Sequence, residues 1–592
     1  MLEDLPYREI WAVDFEFNGG PGERPNPVCM VAKELRSGRM HRLWRNQLHE
    51  LDGPPFDMGP NSLFVAYYAS AEFGCFLALG WPMPERILDL FAEFRVETNG
   101  LANVQASLLH ALFHYGLPAM GAEDKRGMVD LILGGGPWRN GDRRAILDYC
   151  QGDVEALERL LPALSPAITA NRPRLGQALM RGRYMVAAAR MEWAGVPIDA
   201  PYLGRLRSHW SGIRRGLIKE VDRDIGVFEG QTFKAGLFED YLVRHEIPWP
   251  RLASGKLALD RNTFRAQARS HPDRIAPIHE LRHALSDMRL EQISVGSDGR
   301  CRTMLSAFRA KTGRNQPSST KGIFGLPAWI RGLIRPGPGQ TLAYCDWASQ
   351  EMAIAAALSG DQALMEAYLA GDVYLAFAKQ LGLAPPDATK ETHGAVRDRC
   401  KAFVLGVNYG MSSAGLANRA GISTLEAREL LLRHRETYPR FWQWIDDNVN
   451  LALAGVPLRT RFGWQILLGN GASEPNARSL MNFPMQAHGA EMMRLAASMA
   501  TEAGLRICVP VHDALLLETE TASAERDIAR LRNVMEEASE TVMGVTGFRC
   551  RVDANVIRYP AHYADPRGAV MWDRVMALLE NQERIAGHGR SA

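Results

Sequence analysis

Residues 8–17 read Arg-Glu-Ile-Trp-Ala-Val-Asp-Phe-Glu-Phe, an apolar run that turns into apolar–acidic alternation, and this predicts a strand. The Gly-, Pro- and Asn-rich stretch after it, through Asn26, predicts a loop. Residues 101–116 and 143–162 carry apolar side chains at three- and four-residue spacings, the helical signature. Around Pro162–Pro173 the pattern breaks into Pro, Ser and Asn, as at a boundary or short linker. Long helical patterns dominate from Arg181 to about residue 300, interrupted near Pro248–Gly255. Two short apolar strands follow, each meeting an acid: Thr341-Leu-Ala-Tyr-Cys-Asp346, and Ile507-Cys-Val-Pro-Val511 leading into His512-Asp513. Between them, Arg397-Asp-Arg-Cys-Lys-Ala-Phe-Val-Leu-Gly-Val-Asn-Tyr-Gly410 predicts a helix with cations four apart. The chain shows neither internal repeats nor low-complexity segments.

At 592 residues the chain exceeds one core, and its length predicts about three or four structural units. A hydrophobic content of 46% and a charged content of 23% are those of a soluble globular protein. The formal net charge is only +2, so a nucleic-acid site has to be a local basic groove. The eight cysteines are scattered without a CxxC pair, which excludes the common zinc-ribbon spacings and a disulfide framework and fits a reducing compartment. The first residues lack a basic segment followed by an apolar one, so they do not read as a signal peptide, and apolar runs fall short of the roughly 18 residues of a membrane span. The expected location is the cytoplasm, or the cytoplasm of a host.

Two acidic constellations carry chemistry. Asp14 and Glu16 lie two apart on the first strand and project from one face. Tyr149 and Asp153 lie four apart on a helix and share a face, with Glu72 in the sequence between the two pairs. In the second half, strand-borne Asp346 and Asp513 can hold two divalent metals about 3.5–4 Å apart, the geometry that stabilises attacking and leaving oxygens in phosphoryl transfer. Arg397 and Lys401, on one helix face, can neutralise a triphosphate.

In this order and spacing, Tyr344-Cys-Asp-Trp-Ala-Ser-Gln-Glu351, Arg397–Gly410 and Val511-His-Asp-Ala514 resemble motifs A, B and C of the family-A, DNA polymerase I-like DNA polymerases. The resemblance implies that Asp346 and Asp513 bind metal and that His512 contacts the primer terminus. It places Arg397, Lys401, Leu405 and Tyr409 around the incoming nucleotide, with Glu351 excluding a 2′-hydroxyl. Lys311-Thr-Gly-Arg-Asn-Gln-Pro-Ser-Ser319 resembles the segment whose Arg, here Arg314, reads the minor groove. Arg478, Asn482 and Gln486, four apart, match a helix facing the template–primer duplex. The chain departs from the family at Leu405, where Phe or Tyr is usual, and at Ala514, where Glu is usual.

The N-terminal acids resemble a DEDD-type 3′→5′ proofreading exonuclease, which implies metal ligation by Asp14, Glu16, Glu72 and Asp153 and a water-positioning role for Tyr149. The middle position is usually Asp; Glu72 takes it here, with Asp89 as the alternative.

The expected fold is α/β multidomain: an RNase H-like exonuclease domain (1–165), then a right-hand polymerase of thumb (166–300), palm (301–364), fingers (365–475) and palm again (476–592). The expected function is template-directed DNA synthesis by two-metal phosphoryl transfer, with proofreading and without a 5′ nuclease domain. Two Mg²⁺ per active site, or Mn²⁺ in their place, would be the cofactors. Primer-template DNA, single-stranded 3′ ends and dNTPs would be the partners of a monomer, with replisome accessory proteins unidentified. The compact size looks like a phage or mobile-element replicase. The alternatives are a 3′→5′ exonuclease with a degraded polymerase, and a non-catalytic DNA-binding module.

Overall fold

The computed structural model describes residues 2–118, 122–286, 290–468 and 476–588. Its N-terminal unit is built on a five-stranded sheet of β1 (Glu9–Asn18), β2 (Asn26–Glu34), β3 (Met40–Trp44), β4 (Ser62–Ala66) and β5 (Ile87–Asp89), in the order β3-β2-β1-β4-β5. β1 runs antiparallel to β2 and parallel to β4. Its period of two sorts the side chains. Trp11, Val13 and Phe15 enter one core with α1 (Ser70–Leu79), while Ile10 and Ala12 enter a second core with α4 (Asn140–Ile168). Asp14 and Glu16 continue the second series, so they point toward α4.

Two helical expectations shift. The helix expected over 101–116 is confined to Leu108–His114, where the Ser107 side chain accepts from His110 N–H and caps the first turn. α4 does not stop at Pro162; it passes Pro162 and Pro166 and ends at Ile168. Each proline removes one backbone donor. The buried row Leu157, Leu160, Leu161, Leu164 and Ile168 holds the helix together through both. Burial of that row outweighs the lost hydrogen bonds.

α5 (Arg172–Ala194) lies between the two halves of the protein. It packs on α1 and β5 on one side, and on α11 (Ala477–Glu502) and β7 (Arg506–Val511) on the other. Small buried residues, Ala187, Ala188 and Ala189, let both neighbours approach. Gly182 is required there: a Cβ would lie 2.1 Å from the carbonyl oxygen of Ile87. After α6 (Ala200–Asp222), helices over Ala235–Arg244, Arg261–Ser270 and Pro272–Ser286 make a separate helical region.

The C-terminal half is built on a four-stranded antiparallel sheet in the order β7-β8-β6-β9, with β6 (Gln340–Trp347), β8 (Ala514–Glu520) and β9 (Val552–Arg558). Ala343, Cys345 and Trp347 of β6 enter the core shared with α11 and α12 (Ala524–Met543). Leu342 and Tyr344 face a different core, formed with α6 and α13 (Ala569–His588), and Asp346 follows them on that face. Between β6 and α11 stand α7 (Gln350–Ser359), α8 (Gln362–Leu369), α9 (Val373–Gln380) and α10 (Lys390–Asn408). No described helix is long and apolar enough to cross a membrane.

Arg181 on α5 clamps the halves together. Its Nε and Nη2 donate to both oxygens of Glu93, at 2.6 and 2.7 Å, and its Nη1 reaches the carbonyl of Phe462 at 3.0 Å. The two side chains are only 8% and 4% exposed. Arg181→Met leaves the Glu93 carboxylate buried without its partner and is expected to destabilise the protein by about 3–5 kcal/mol. Lys33→Met breaks the more exposed Lys33–Glu158 pair, and should cost under about 1 kcal/mol. Urea denaturation of both variants measures the difference.

Candidate active site

The C-terminal site is assembled by strand pairing. Asp346, near the end of β6, pairs in register with Ala514 of β8 on one side and Asp553 of β9 on the other. β7 and β8 are joined through His512 and Asp513, with Val511 paired to Ala514. His512 takes a positive φ of 54°, the left-handed conformation that a two-residue hairpin turn needs. The Trp347 N–H donates to the Asp513 carbonyl at 3.1 Å, tying the two acid-bearing segments directly. Burial first, and then the Asp513 and Asp553 carboxylates, push the Asp346 carboxyl up to about 6. Burial raises Asp513 as well, with Arg314 and His512 opposing it. Such a pair is suited to a divalent cation, which removes the mutual repulsion. Asp553 escaped the sequence reading because only cross-strand pairing brings it beside Asp346.

Around this pair, side chains from distant segments converge. Glu351 on α7 lies 3.6 Å from Arg314 and accepts from the Tyr409 hydroxyl at 3.4 Å. Gln486 Nε2 donates to the same Tyr409 oxygen at 3.4 Å. Arg494 donates to the Gly313 carbonyl at 2.7 Å, and the Trp464 ring packs where a Cβ on Gly313 (φ +74°) would lie, which positions Arg314. Asn482 is 5% exposed, yet both its amide atoms have no partner among the described residues. Arg314 Nε, Gln350 Nε2 and Glu351 Oε2 are also buried and unpaired. Buried polar atoms without partners are rare, and several at one place mark a surface shaped for a polar ligand. Arg478, at the start of α11, is exposed.

Arg397 and Lys401 lie on α10, one turn apart, each over the ring of Tyr374, at 5.6 and 5.8 Å. Lys401 is exposed, whereas Arg397 is bonded to Asp372 Oδ2 at 2.5 Å. Leu405 is partly buried and packs against the core, and Phe403 points away from it to stack on Phe377. Tyr409 caps the C-terminus of α10.

In the N-terminal unit, Asp14, Glu16 and Asp153 each offer an oxygen within 4.8 Å of the others. Glu72 stands beside them, but its Oε2 accepts from Phe15 N–H at 2.8 Å. Asp89 lies elsewhere: it caps the helix α2 (Leu90–Thr98), accepting from Ala92 N–H at 2.8 Å and from Ala69 N–H at 2.6 Å. Burial and then the charge of Asp153 hold the Asp14 carboxyl well above its usual range; burial and then Asp14 push Glu16 up to about 10. Burial and then Asp14 raise Glu72. Asp14 Oδ2 is buried and unpaired. These donors fit a divalent cation. Lys125, on α3 (Ala122–Leu133), enters the cluster: its ammonium lies 3.0 Å from Asp153 and 5.6 Å from the Tyr149 ring centroid. Nothing in the local sequence signals that lysine, since α3 meets the cluster only through tertiary packing.

The C-terminal half thus combines a four-stranded antiparallel sheet, which brings Asp346 and Asp513 together, with a helix that carries Arg397 and Lys401. Residues 264–556 match DNA polymerase family A, and the chain carries a family A DNA polymerase domain. Relatives include the thermostable DNA polymerase I of Thermus caldophilus, 27% identical over 379 residues (59% of this chain, 44% of the relative). DNA polymerase I of Chloroflexus aurantiacus is 27% identical over 376 residues (58% and 39%). That of Mycobacterium tuberculosis H37Rv is 24% identical over 437 residues (66% and 47%). The chain thus spans less than half the length of these curated relatives. Among solved structures, the POL domain of Pol1 from M. smegmatis, in complex with DNA primer-template and dNTP, shares the fold with a TM-score of 0.72 at 19% identity. That likeness covers 94% of this chain and 96% of the other.

The raised Asp346 carboxyl has a pH consequence. Its folded value lies above the ordinary one, so the protonated form favours the folded state, and this group's contribution to stability grows as pH falls below about 6. Cation binding needs the ionised carboxylate. Mn²⁺ affinity at this site, measured by paramagnetic resonance in an Asp14→Ala, Glu16→Ala background, should therefore weaken about tenfold per pH unit below 6. Asp553→Asn should move the midpoint downward. An affinity unchanged between about pH 5 and 7 would show that Asp346 is not a ligand.

Proposed function

We propose that the chain is a template-directed DNA polymerase that adds deoxynucleotides to a primer 3′ end. The observation that carries this reading is the joining of Asp346 and Asp513 by the Trp347–Asp513 hydrogen bond. Divalent metals held by these two aspartates, Mg²⁺ in the first instance, would lower the pKa of the primer 3′-hydroxyl and neutralise the triphosphate. The 3′-oxygen forms a bond to the α-phosphorus, the bond to the bridging oxygen breaks, pyrophosphate leaves, and the hydroxyl proton passes to water. Arg397 and Lys401 meet the charge that develops on pyrophosphate. Glu351, oriented by Arg314 and Tyr409, occupies the space a 2′-hydroxyl would need. Asn482, with two unpaired amide atoms, and Gln486 offer donors to the minor groove, whose acceptors look alike at A·T and T·A pairs. They verify pair shape without demanding a sequence. His512 reaches the primer terminus, Leu405 borders the sugar, and Arg478 contacts the duplex backbone.

The N-terminal cluster supports a second activity, removal of nucleotides from a 3′ end. Asp14, Glu16 and Asp153 converge as metal ligands, Glu72 adds its charge, and Tyr149 orients the attacking water. The assignments of palm, fingers and thumb follow from the same reading: the β6–β9 sheet as palm, α8–α10 within the fingers, and the helices from α6 to Ser286 as thumb.

Primer extension tests both activities at once. Asp346→Asn or Asp513→Asn should cut templated extension by a hundredfold or more, to about the level left when a transition-state charge loses its partner, while single-strand degradation persists. Asp14→Ala with Glu16→Ala should do the reverse. Lys125→Ala should raise degradation at limiting Mg²⁺, since its ammonium competes for Asp153. Loss of both activities in one folded variant would contradict two separate sites.

A further inference from the structure

Asp372 performs two tasks with its two oxygens. Oδ1 accepts from the Tyr374 and Leu375 N–H groups, each at 3.1 Å, and so caps α9. Oδ2 accepts from Arg397 Nε at 2.5 Å. Arg397 Nη1 is also engaged, donating to Asp398 Oδ1 at 3.0 Å. The guanidinium is 15% exposed and the Asp372 side chain 25%, so solvent screens their attraction only partly. Lys401, one turn further along the same face, is exposed and makes no ion pair among the described residues.

The mount that carries Asp372 is tied to the catalytic sheet. Arg551, at the edge of β9, donates to the carbonyls of Tyr368, at 2.9 Å, and Gly371. The Arg551 N–H donates to the Tyr368 hydroxyl oxygen at 3.0 Å, and that hydroxyl donates at 3.0 Å to the carbonyl of Ala348, just past β6. These bonds link the segment before Asp372 to the sheet that carries Asp346. Arg397 moves with α10, whose helical backbone is interrupted one turn earlier at His393 (φ −128°, ψ 32°). The ion pair joins the start of α9 to α10, which also packs on α9 through Phe403 and Phe377, and it uses the cation that the proposed reaction needs for phosphate.

We propose that Asp372 is a positioning residue for nucleotide binding, a latch that holds Arg397 against the start of α9 until a nucleoside triphosphate takes over its guanidinium. This rests on the reading of Arg397 as a phosphate ligand. A triphosphate carries more charge than one carboxylate and can accept from Nε and Nη2 together, so it displaces the latch. A ligand with fewer phosphates displaces it less completely. The latch thus lowers affinity for every nucleotide while favouring the triphosphate. The linkage is reciprocal: whatever strengthens the Asp372–Arg397 pair weakens nucleotide binding by the same factor.

Asp372→Asn separates the two tasks, because the amide oxygen still caps α9 while the anionic partner of Arg397 is gone. Binding is measured without chemistry, by fluorescence titration of the templated dNTP, with Mg²⁺, onto enzyme on a dideoxy-terminated primer. Single-turnover extension then separates the maximal rate from the nucleotide dependence. Asp372→Asn should tighten nucleotide binding about three- to tenfold, with the maximal rate changed by no more than about twofold. Arg397→Ala should weaken binding, and in that background Asp372→Asn should have no further effect. An unchanged or weaker affinity in Asp372→Asn overturns the latch. So does an equal gain in the Arg397→Ala background, which would reflect bulk charge alone. If Arg397→Ala leaves affinity unchanged, the phosphate role of Arg397 and the latch fall together. Failure of the wild-type chain to select the templated nucleotide would instead remove the polymerase reading itself.

Discussion

The pairing register of β6 governs the C-terminal half. A slip of one residue would exchange its two faces, sending Asp346 into the core against α12 and Trp347 out to the rim. Trp347 prevents this: its ring is 1% exposed, and its indole N–H donates to the Met535 carbonyl at 3.1 Å. With that side chain fixed, Asp346 stands on the rim face and the backbone N–H of Trp347 reaches Asp513. The same register sets Asp553 opposite Asp346 and aligns the chain for the turn that carries Ser349, also at positive φ, into α7 and Glu351. One buried tryptophan thus positions groups contributed by four segments of the chain.

Both acidic sites concentrate charge where the fold alone does not favour it. Asp14, Glu16, Glu72, Asp346 and Asp513 are all raised, burial being the first cause in each. A structure that gathers carboxylates in this way gives up stability at those places, and recovers it in contacts such as the Arg181–Glu93 clamp and the packing of α5 between the two sheets. Repulsion at the cluster is relieved by a proton or by a cation. In the N-terminal unit Lys125 partly supplies that charge. In the C-terminal site Arg314 opposes the raised Asp513 carboxyl while lying 3.6 Å from Glu351.

Local pattern made much of this legible. Alternation along residues 9–18 placed Asp14 and Glu16 on one face, and the helical spacing of Tyr149 and Asp153 turned both toward that face. The acids after two apolar runs led to Asp346 and Asp513, and the order of motifs matched the family found over residues 264–556. Other features were hidden because they arise from packing. Pro162 and Pro166 looked like a helix stop, and only the buried leucines of α4 show why the helix continues. Glu72 reads as a free acid in sequence, but the approach of α1 to β1 engages one of its oxygens with Phe15 N–H. Asp89, the fallback for that role in sequence, caps a helix instead. Asp372, Asp553 and Lys125 sit in ordinary local sequence, and each acquires its meaning from a partner on a distant element.

The central claim is that Asp346 and Asp513 together hold the metals for nucleotidyl transfer. The most direct test is anomalous scattering from Mn²⁺ in crystals of the chain bound to a dideoxy-terminated primer-template and the templated dNTP. The account predicts two peaks between these carboxylates, about 3.5–4 Å apart, beside the triphosphate. Density for the triphosphate with Mn²⁺ only at Asp14, Glu16 and Asp153, and none at Asp346 and Asp513, would contradict it.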